Sequence, residues 1–332
     1  METVIDISNV SKQFRRTTAL DDVSFQVPRG VVFALLGENG AGKTTLIRSL
    51  LGLEGLDRGT ASVLGMDPLK DGLAIRRRTG YVSDSPALYR WMTVKQIAHF
   101  TSSFYDADFL QNFYKIAADF GLEDGQKIKN LSKGGQAKVA LALSLAHQPE
   151  LLILDEPTSG LDAIVRRHFL DSMIDVAAEG RSVLLSSHQI NEVERVADWV
   201  AVIRQGKLMA CDELVNLKGR FERWIITLDS EKLDSESLNF DSSMIGNLVS
   251  HAGRGRKRQQ LMLFDVKEGL TDYVRRQPEV SDLEVQSASL EEIFVSLMNS
   301  EASRPVTSSA LTDQQNLRSQ QPSDLIAESS NE

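Results

Sequence analysis

The strongest indication of the fold is a stretch of nine residues, Gly37-Glu38-Asn39-Gly40-Ala41-Gly42-Lys43-Thr44-Thr45. They match the pattern G-x-x-x-x-G-K-[ST] of a phosphate-binding loop at every required position. The unbroken apolar run 31–36 in front of the loop predicts a strand that is buried on both faces. Apolar residues at helical spacing predict a helix behind the loop. A strand, a glycine-rich loop and a helix in this order predict a site for a nucleoside triphosphate.

The residue types within the loop suit the chemistry of a triphosphate. Its glycines lack the Cβ atoms that would keep backbone amides from closing around phosphate oxygens. Lys43 is predicted to reach the β- and γ-phosphates, and the hydroxyl of Thr44 is predicted to bind Mg²⁺. The alternative is a chance glycine turn before a helix, which the patterns on both sides of the loop disfavour.

Length and composition set the class of protein. The chain has 332 residues, of which 42% are hydrophobic and 25% charged, which suits one large α/β domain and a smaller unit. A net charge of -9 disfavours a nucleic-acid partner. The sequence shows neither an apolar run of roughly 18 residues nor a signal-peptide pattern, so we expect a soluble, cytoplasmic protein. Cys211 is the single cysteine, which excludes an internal disulfide and a structural cysteine zinc site.

A second buried strand is predicted to end in two acidic residues. Residues 151–154 are apolar, and Asp155 and Glu156 follow directly. A carboxylate at a strand tip beside a phosphate loop can hold Mg²⁺, which is the role predicted for Asp155. Glu156 is predicted to polarise the water that attacks the γ-phosphate. Strands often end in solvated acids, but the position after a complete phosphate loop favours the catalytic interpretation.

The rest of the pattern predicts an α/β fold with subdomains. Apolar strands, including 183–185, alternate with helical patterns and predict a mostly parallel sheet covered by helices. Alternation over 23–27 predicts an antiparallel β subdomain in front of it. Between about 86 and 146, helix formers and aromatic residues predict an inserted helical subdomain. Its aromatic residues are expected to form a core, with a docking face for a partner as the alternative.

After about residue 215 the pattern becomes that of a small α+β unit. Its strand candidates are 224–228, 260–266 and 283–285. The last helix is signalled by Ser289 and Glu292, which have the spacing of a capping box. The segment 301–332 contains few large apolar residues, so we expect it to be disordered. The basic run 254–258 is interpreted as a solvated hairpin loop, with contact to anionic lipid or RNA as the alternative.

Three further motifs resemble those of ABC-type ATPases. The stretch 131–135, Leu-Ser-Lys-Gly-Gly, is similar to their Leu-Ser-Gly-Gly-Gln signature. The stretch 159–162, Ser-Gly-Leu-Asp, resembles their D-loop, and His188 resembles their switch histidine. The resemblance covers about residues 2–215. It implies a P-loop NTPase fold, with an ATPase domain at 1–215, an accessory α+β domain at 216–300 and a disordered tail at 301–332.

The resemblance also implies the ligands and the site residues. The cofactors are ATP and Mg²⁺, with Glu156, His188 and Lys43 catalytic and Thr44 and Asp155 binding the metal. The residues expected to contact ATP are Phe14, Gly37, Glu38, Asn39, Gly40, Ala41, Gly42, Lys43, Thr44, Thr45, Asp84, Ser132, Gly134, Gly135 and Asp162.

In this family the signature closes over the ATP of a second subunit. The resemblance therefore implies a homodimer or heterodimer of ATPase chains with two shared sites. Ser132 and Gly134 of one chain would face the phosphate loop of the other, and Asp162 would couple the two sites.

Three features, at four positions, depart from the family pattern. The signature has Lys133 where glycine is expected and Gly135 where glutamine is expected. Phe14 stands where many relatives have tyrosine against the adenine ring, and its π-face allows the same stacking. Asp84 occupies the position of the Q-loop glutamine, so its approach to the γ-phosphate requires Mg²⁺ or a bridging water.

The end of the chain refines the resemblance. The stretch 289–294, Ser-Leu-Glu-Glu-Ile-Phe, is similar to the C-terminal extension of ABC ATPases that work with ABC-2-type exporter permeases. It implies a separate multi-pass membrane permease, with this chain peripheral on the cytoplasmic face of the membrane. The expected docking surface consists of Leu88, Tyr89, Trp91, Met92 and Val94.

Two other functions stay open at this point. The first is a non-transport ABC ATPase that acts on ribosomes or DNA, although neither a second cassette nor a long coiled-coil insertion is visible. The second is a regulatory subunit that binds ATP but hardly hydrolyses it, which the intact Lys43, Asp155, Glu156 and His188 disfavour.

Overall fold

The computed structural model describes residues 2–228, 247–253, 258–299 and 306–307. The strands are β1 (Thr3–Phe14), β2 (Thr17–Pro28), β3 (Val32–Leu36), β4 (Arg58–Val63), β5 (Thr79–Val82), β6 (Leu151–Asp155), β7 (Ser182–Ser187), β8 (Trp199–Arg204), β9 (Lys207–Glu213), β10 (Phe221–Leu228), β11 (Asn247–Gly253), β12 (Arg258–Phe264), β13 (Val280–Ser287) and β14 (Val306–Thr307).

Helices flank these strands on both sides of the main sheet. They are α1 (Lys43–Leu50), α2 (Pro68–Arg78), α3 (Val94–Ser102), α4 (Phe109–Asp119), α5 (Lys133–Leu145), α6 (Ala163–Ala178), α7 (Ile190–Val196), α8 (Leu214–Arg220), α9 (Leu270–Arg275) and α10 (Leu290–Asn299), with one tight helical turn at Ile128–Asn130. No helix among the described residues is long and apolar enough to cross a membrane.

The main sheet has seven strands in the order β14-β9-β8-β3-β7-β6-β5. The pairs β8/β3, β3/β7, β7/β6 and β6/β5 are all parallel, whereas β9 runs antiparallel to β8. Every residue of β3, β6 and β7 is buried, as their apolar runs predict for strands covered on both faces. The mostly parallel α/β sheet is therefore confirmed. Because β3, β7 and β6 are neighbours and parallel, the segments that follow them meet at one edge.

The antiparallel β subdomain is also present. Strands β2, β1 and β4 form a three-stranded sheet in which both pairs are antiparallel. Its apolar face packs on the main sheet, where the ring of Phe25 stacks on that of Phe33 with centroids 5.4 Å apart. This sheet carries Phe14 at the end of β1.

Helices α3, α4 and α5 form the inserted helical subdomain. A capping box of Thr93 and Gln96 begins α3. Phe109 and Phe113 are fully buried in its core, as predicted. Trp91, Phe100 and Phe104 are exposed, contrary to the expectation that the aromatic residues form a core. Met92 and Val94 are buried in the same core, so the prediction that they belong to a docking surface was wrong. The face that each residue of this helical region presents depends on packing that the sequence alone did not specify.

The C-terminal part forms a four-stranded antiparallel sheet in the order β11-β12-β10-β13. The capping box that begins α10 is confirmed, because the amide of Glu292 donates to Ser289 Oγ and the amide of Ser289 donates to Glu292 Oε2. Ile293 and Leu297 of α10 share one apolar core with Val193 and Val196 of α7. The domain boundary at residue 215 stays a prediction, and the unit beyond it packs directly on the ATPase sheet.

Two further sequence predictions concern the basic run 254–258 and the tail 301–332. Residues 254–257 of the basic run lie outside the described residues. Most of the tail 301–332 also lies outside them, except Val306–Thr307, which pair in parallel with Ala210 and Cys211 of β9.

Candidate functional site

The phosphate loop connects β3 to α1, and its glycines are required by close packing and by backbone angles. A Cβ atom at Gly37 would lie 2.4 Å from the carbonyl oxygen of Ile203, and one at Gly42 would lie 2.3 Å from that of Ala19. Gly42 caps α1 with φ 109°. At Gly40 a Cβ atom would meet nothing within 4 Å, but φ is 82°. The loop therefore keeps its shape because glycine alone fits these positions without strain.

Lys43 is buried beneath the loop. Its ammonium donates to the carbonyl oxygens of Gly37, at 2.7 Å, and Glu38, at 3.3 Å. It also forms an ion pair with Glu156, whose Oε1 lies 3.0 Å from Nζ. The structure thus brings together Lys43 and Glu156, which are separated by more than a hundred residues in the sequence.

Glu156 stands between a cation and a histidine. Its Oε2 lies 2.7 Å from Nδ1 of His188, on the segment after β7. Its backbone is in the left-handed region, with φ 50°. Its amide donates to both the carbonyl oxygen and Oγ of Ser186, each at 3.1 Å. Glu156 is therefore held through its backbone by β7 and through its carboxylate by Lys43 and His188.

Asp155 is the last residue of β6 and is buried. Ser186 is its register partner on β7, and Ser186 Oγ donates to Asp155 Oδ1 at 2.6 Å. Burial, followed by the charge of Asp155, raises the pKa of the Tyr81 hydroxyl on β5. No role was predicted for Ser186 from the sequence, although a serine at the end of a buried strand could have been considered as a hydrogen-bond donor to the acidic end of β6.

The oxygen donors near the loop suit Mg²⁺. Thr44 is an exposed residue in the first turn of α1, and Asp155 offers a fixed carboxylate. The described residues hold no group of three His, Cys, Asp or Glu side chains that could bind a metal by themselves. One hydroxyl and one carboxylate fit this ion, because Mg²⁺ is usually bound by one or two protein oxygens together with substrate phosphates and water.

The signature and the D-loop lie at two neighbouring helix starts. Ser132 caps α5 by accepting from the amide of Gly135 at 3.1 Å. Asp162 caps α6 by accepting from the amides of residues 164 and 165 at 3.1 and 3.0 Å. Gly134 lies against Val165, which would be 3.1 Å from a Cβ atom there. These hydrogen bonds stay at the helix starts, so the side chains of Ser132 and Asp162 act there as caps within one chain.

Phe14 and Asp84 lie at the margins of the site. Phe14 is 42% exposed at the end of β1, with Lys12 Nζ 5.1 Å from its ring centroid. Asp84 is exposed in the loop after β5 and lines a cleft. The lining of this cleft also includes Lys133 and Pro157. Two departures from the family pattern, Asp84 and Lys133, thus share one cleft and carry opposite charges.

Comparison with known proteins identifies the family. The sequence model described as ABC transporter matches residues 20–159. The ABC transporter ATP-binding protein YxlF of Bacillus subtilis (strain 168), itself uncharacterized, is 31% identical over 307 residues, which cover 89% of this chain and 100% of that protein. The bacitracin transport ATP-binding protein BcrA of Bacillus licheniformis is 28% identical over 311 residues. This match covers 90% of this chain and 98% of that protein.

A solved structure agrees with these relatives. The ATP-binding subunit of an ABC transporter matches with a TM-score of 0.61 at 28% identity, over 65% of this chain and 92% of that one. The fold and the site define a P-loop ATPase of the cassette type. This chain belongs to the family of ABC transporter ATP-binding proteins, which bind and hydrolyse ATP.

Proposed function

We propose that this chain is the ATP-hydrolysing subunit of an exporter and powers a separately encoded membrane permease. The observation that carries ATP hydrolysis is the carboxylate of Glu156, held between Lys43 at 3.0 Å and His188 at 2.7 Å. Export is supported by the similarity to BcrA, a bacitracin transport protein, which extends over 98% of that protein and so includes the region of the C-terminal unit.

Each residue of the site has a proposed role in hydrolysis. Glu156 accepts the proton of the attacking water as general base. His188 orients that carboxylate, and Lys43 binds the β- and γ-phosphates. Thr44 and Asp155 would hold Mg²⁺, which when bound neutralises charge on the phosphate oxygens. Ser186 on the neighbouring strand β7 fixes Asp155 and the backbone of Glu156, so both carboxylates keep their positions at the end of β6.

Two ATPase chains are proposed to share each site, as a homodimer or as a heterodimer. Ser132, Gly134 and Asp162 lie at the starts of α5 and α6, and their described contacts remain there. The N-terminus of a helix favours an anion, and α5 has thirteen residues that begin directly after Ser132. In a head-to-tail dimer this helix start would face the γ-phosphate bound to the other chain.

The permease is proposed to dock on an exposed row of aromatic side chains in the helical subdomain. This aromatic row consists, in spatial order, of Trp91, Tyr89, Phe100 and Phe104. The ring centroids of successive members are 6.2, 5.4 and 5.5 Å apart. A contiguous exposed apolar surface of this kind marks an interface, and Trp and Tyr are enriched among its strongest contacts. Docking there would hold the chain peripherally at the cytoplasmic face of the membrane.

Co-purification from membranes tests this proposal. The full chain should isolate a multi-pass membrane protein whose presence stimulates ATP hydrolysis. Trp91→Ala should lose most of that protein, because Trp91 is 66% exposed in the aromatic row. Leu73→Ala is the matched control, since Leu73 is an apolar residue of α2 with 62% exposure. Recovery of ribosomes or DNA in place of a membrane protein would contradict the proposal.

A further inference from the structure

The proposed mechanism gives no role to Glu192, a buried carboxylate close in sequence to His188. Glu192 lies on α7 and is 7% exposed. Thr158 Oγ1 donates to its Oε2 at 2.5 Å. Arg166 Nε forms an ion pair with its Oε1 at 3.1 Å. A buried carboxylate with two dedicated partners is held in one geometry.

The partners of Glu192 belong to different parts of the site. Thr158 comes two residues after Glu156, in the segment that leads to the D-loop. Arg166 lies on α6, which Asp162 caps, and its guanidinium also donates to the carbonyl oxygen of Leu161 at 3.0 Å. Glu192 itself lies on the helix that follows His188. Three elements that extend from the site therefore meet at one carboxylate.

Stability alone is a weak explanation for this arrangement. Taking an ion pair out of water costs desolvation energy, and apolar residues of the same volume often stabilise a fold equally well or better. The helices around it already share a large apolar core, which includes Phe169 of α6 and Val193 of α7. What Glu192 adds is a directional hydrogen bond, which it accepts from Thr158 at 2.5 Å.

The segment after Glu156 has few other tethers. Its local hydrogen bonds are two turn contacts, from the amide of Ser159 to Glu156 at 3.2 Å and from the amide of Leu161 to Thr158 at 3.1 Å. A side-chain hydrogen bond joins this segment to α7, from Thr158 Oγ1 to Glu192 Oε2. Loss of this tether would leave Glu156 attached to β7 but would free the D-loop segment to shift.

We propose that Glu192 is a positioning residue for ATP hydrolysis. It ties the segment that carries Glu156 and Asp162 to the helix that follows His188, so that base, histidine and D-loop keep one mutual arrangement. This inference rests on the proposed roles of Glu156 and His188 and goes beyond them, because Glu192 acts through these residues without touching the nucleotide.

Steady-state ATP hydrolysis by the full chain tests the inference. Glu192→Gln should lower kcat at least tenfold while KM for ATP stays within twofold, because the phosphate loop and Lys43 are untouched. Thr158→Val should lower kcat in the same way, since it removes only the hydroxyl. Thr158→Ser keeps the hydroxyl and should retain the activity of the parent.

Asp212→Asn is the matched control for a loss of stability. Asp212 is 1% exposed and accepts a hydrogen bond from Arg220 Nη1 at 3.0 Å, so it is also a buried carboxylate paired with arginine. Unlike Glu192, it lies on β9. It should lower the melting temperature and leave kcat unchanged. A fall in melting temperature with unchanged kcat in Glu192→Gln and Thr158→Val would overturn the inference. If Glu192→Gln does not fold, the difference in kcat between Thr158→Val and Thr158→Ser tests the inference.

The variant Glu156→Gln separates this inference from the proposed function. If Glu156→Gln is inactive and Glu192→Gln has the kcat of the parent, only the role of Glu192 is wrong. If Glu156→Gln still hydrolyses ATP, the proposed base is wrong and the role of Glu192 falls with it. A low kcat in both, with normal KM in Glu192→Gln, is the expected result.

Discussion

The ammonium of Lys43 lies 3.0 Å from Oε1 of Glu156, and both side chains are largely buried. Lys43 is also the proposed ligand of the β- and γ-phosphates, so a triphosphate and Glu156 compete for the same cation. Binding of ATP would therefore release Glu156 from Lys43 while His188 still holds its second oxygen. Through this contact, nucleotide binding would control the availability of Glu156, the proposed base.

Replacement of Glu156 tests the base directly. Glu156→Gln should keep ATP binding and lose about 10²–10⁴-fold in hydrolysis, because the amide matches the carboxylate in size but cannot accept the proton of the attacking water. The same variant should accumulate an ATP-bound dimer, visible as a doubled mass by light scattering. Turnover within about a factor of three of the parent would contradict the assignment.

Removal of Lys43 should abolish tight ATP binding. Lys43→Ala deletes the cation proposed to contact the β- and γ-phosphates and leaves the largely buried carboxylate of Glu156 without this ion-pair partner. Calorimetry with ATP is the measurement. Lys70→Ala serves as the control, because that lysine is 82% exposed and pairs only with Asp67 on the surface. Equal affinities in the two variants would refute the role of Lys43.

Substitution of Ser132 tests the shared site. Ser132→Arg should leave ATP binding by the isolated chain nearly intact but block closure of the dimer, and so hydrolysis, because a long cation replaces the cap at the start of α5. A mixture with Lys43→Ala chains should recover activity, up to about a quarter of the parent, since half of the dimers then contain one intact site. A mixture as inactive as its components would exclude sites shared between chains.

Asp84 is expected to relay the state of the nucleotide to the permease. Asp84→Ala should keep the basal ATP hydrolysis of the isolated chain but lose most of the stimulation by the co-purified membrane protein. The reason is that Asp84 lies in the loop that leads from β5 to Tyr89 and Trp91 of the aromatic row, and that it lines the cleft that includes Lys133. The comparison is made at equal Mg²⁺ with Ser85→Ala, the neighbouring exposed residue, as control. Equal stimulation of both variants would make Asp84 an ordinary solvated loop residue.

Arg220 should be required for a stable junction with the C-terminal unit. Its guanidinium donates to Asp265 at 2.9 and 2.8 Å and to Asp212 at 3.0 Å, and it lies 4.6 Å from the ring centroid of Phe264. Arg220→Ala would leave Asp212 buried without this partner, at a cost of about 3 kcal/mol in the free energy of unfolding. Thermal melting measures it, and Arg220→Lys should rescue little because lysine lacks the planar fork.

The sequence predicted those parts of the site that are encoded locally. The phosphate loop and the acidic end of β6 follow from short motifs, and parallel strands bring their ends to one edge. Contacts between distant segments could not be predicted in this way. Glu192 meets Thr158 from 34 residues away, and no local pattern marks either residue as a partner of the other.

The fold shows the same division between local and distant information. Strands with continuous apolar runs were predicted, but β11 was not, because its sequence Asn247–Gly253 mixes polar and apolar residues without regular alternation. The docking surface was predicted only in part. Tyr89 and Trp91 are exposed as expected, whereas Met92 is buried. The row is extended by Phe100 of α3 and by Phe104, which lies just after that helix.

The left-handed backbone of Glu156, with φ 50°, sets folding against activity at this position. Residues other than glycine lose roughly 1–2 kcal/mol in this conformation, and asparagine tolerates it better than glutamate. Selection of variants for thermal stability alone would therefore favour glycine or asparagine at position 156 and would remove the proposed base. Thermostabilised versions of this chain should therefore be screened with Glu156 held fixed.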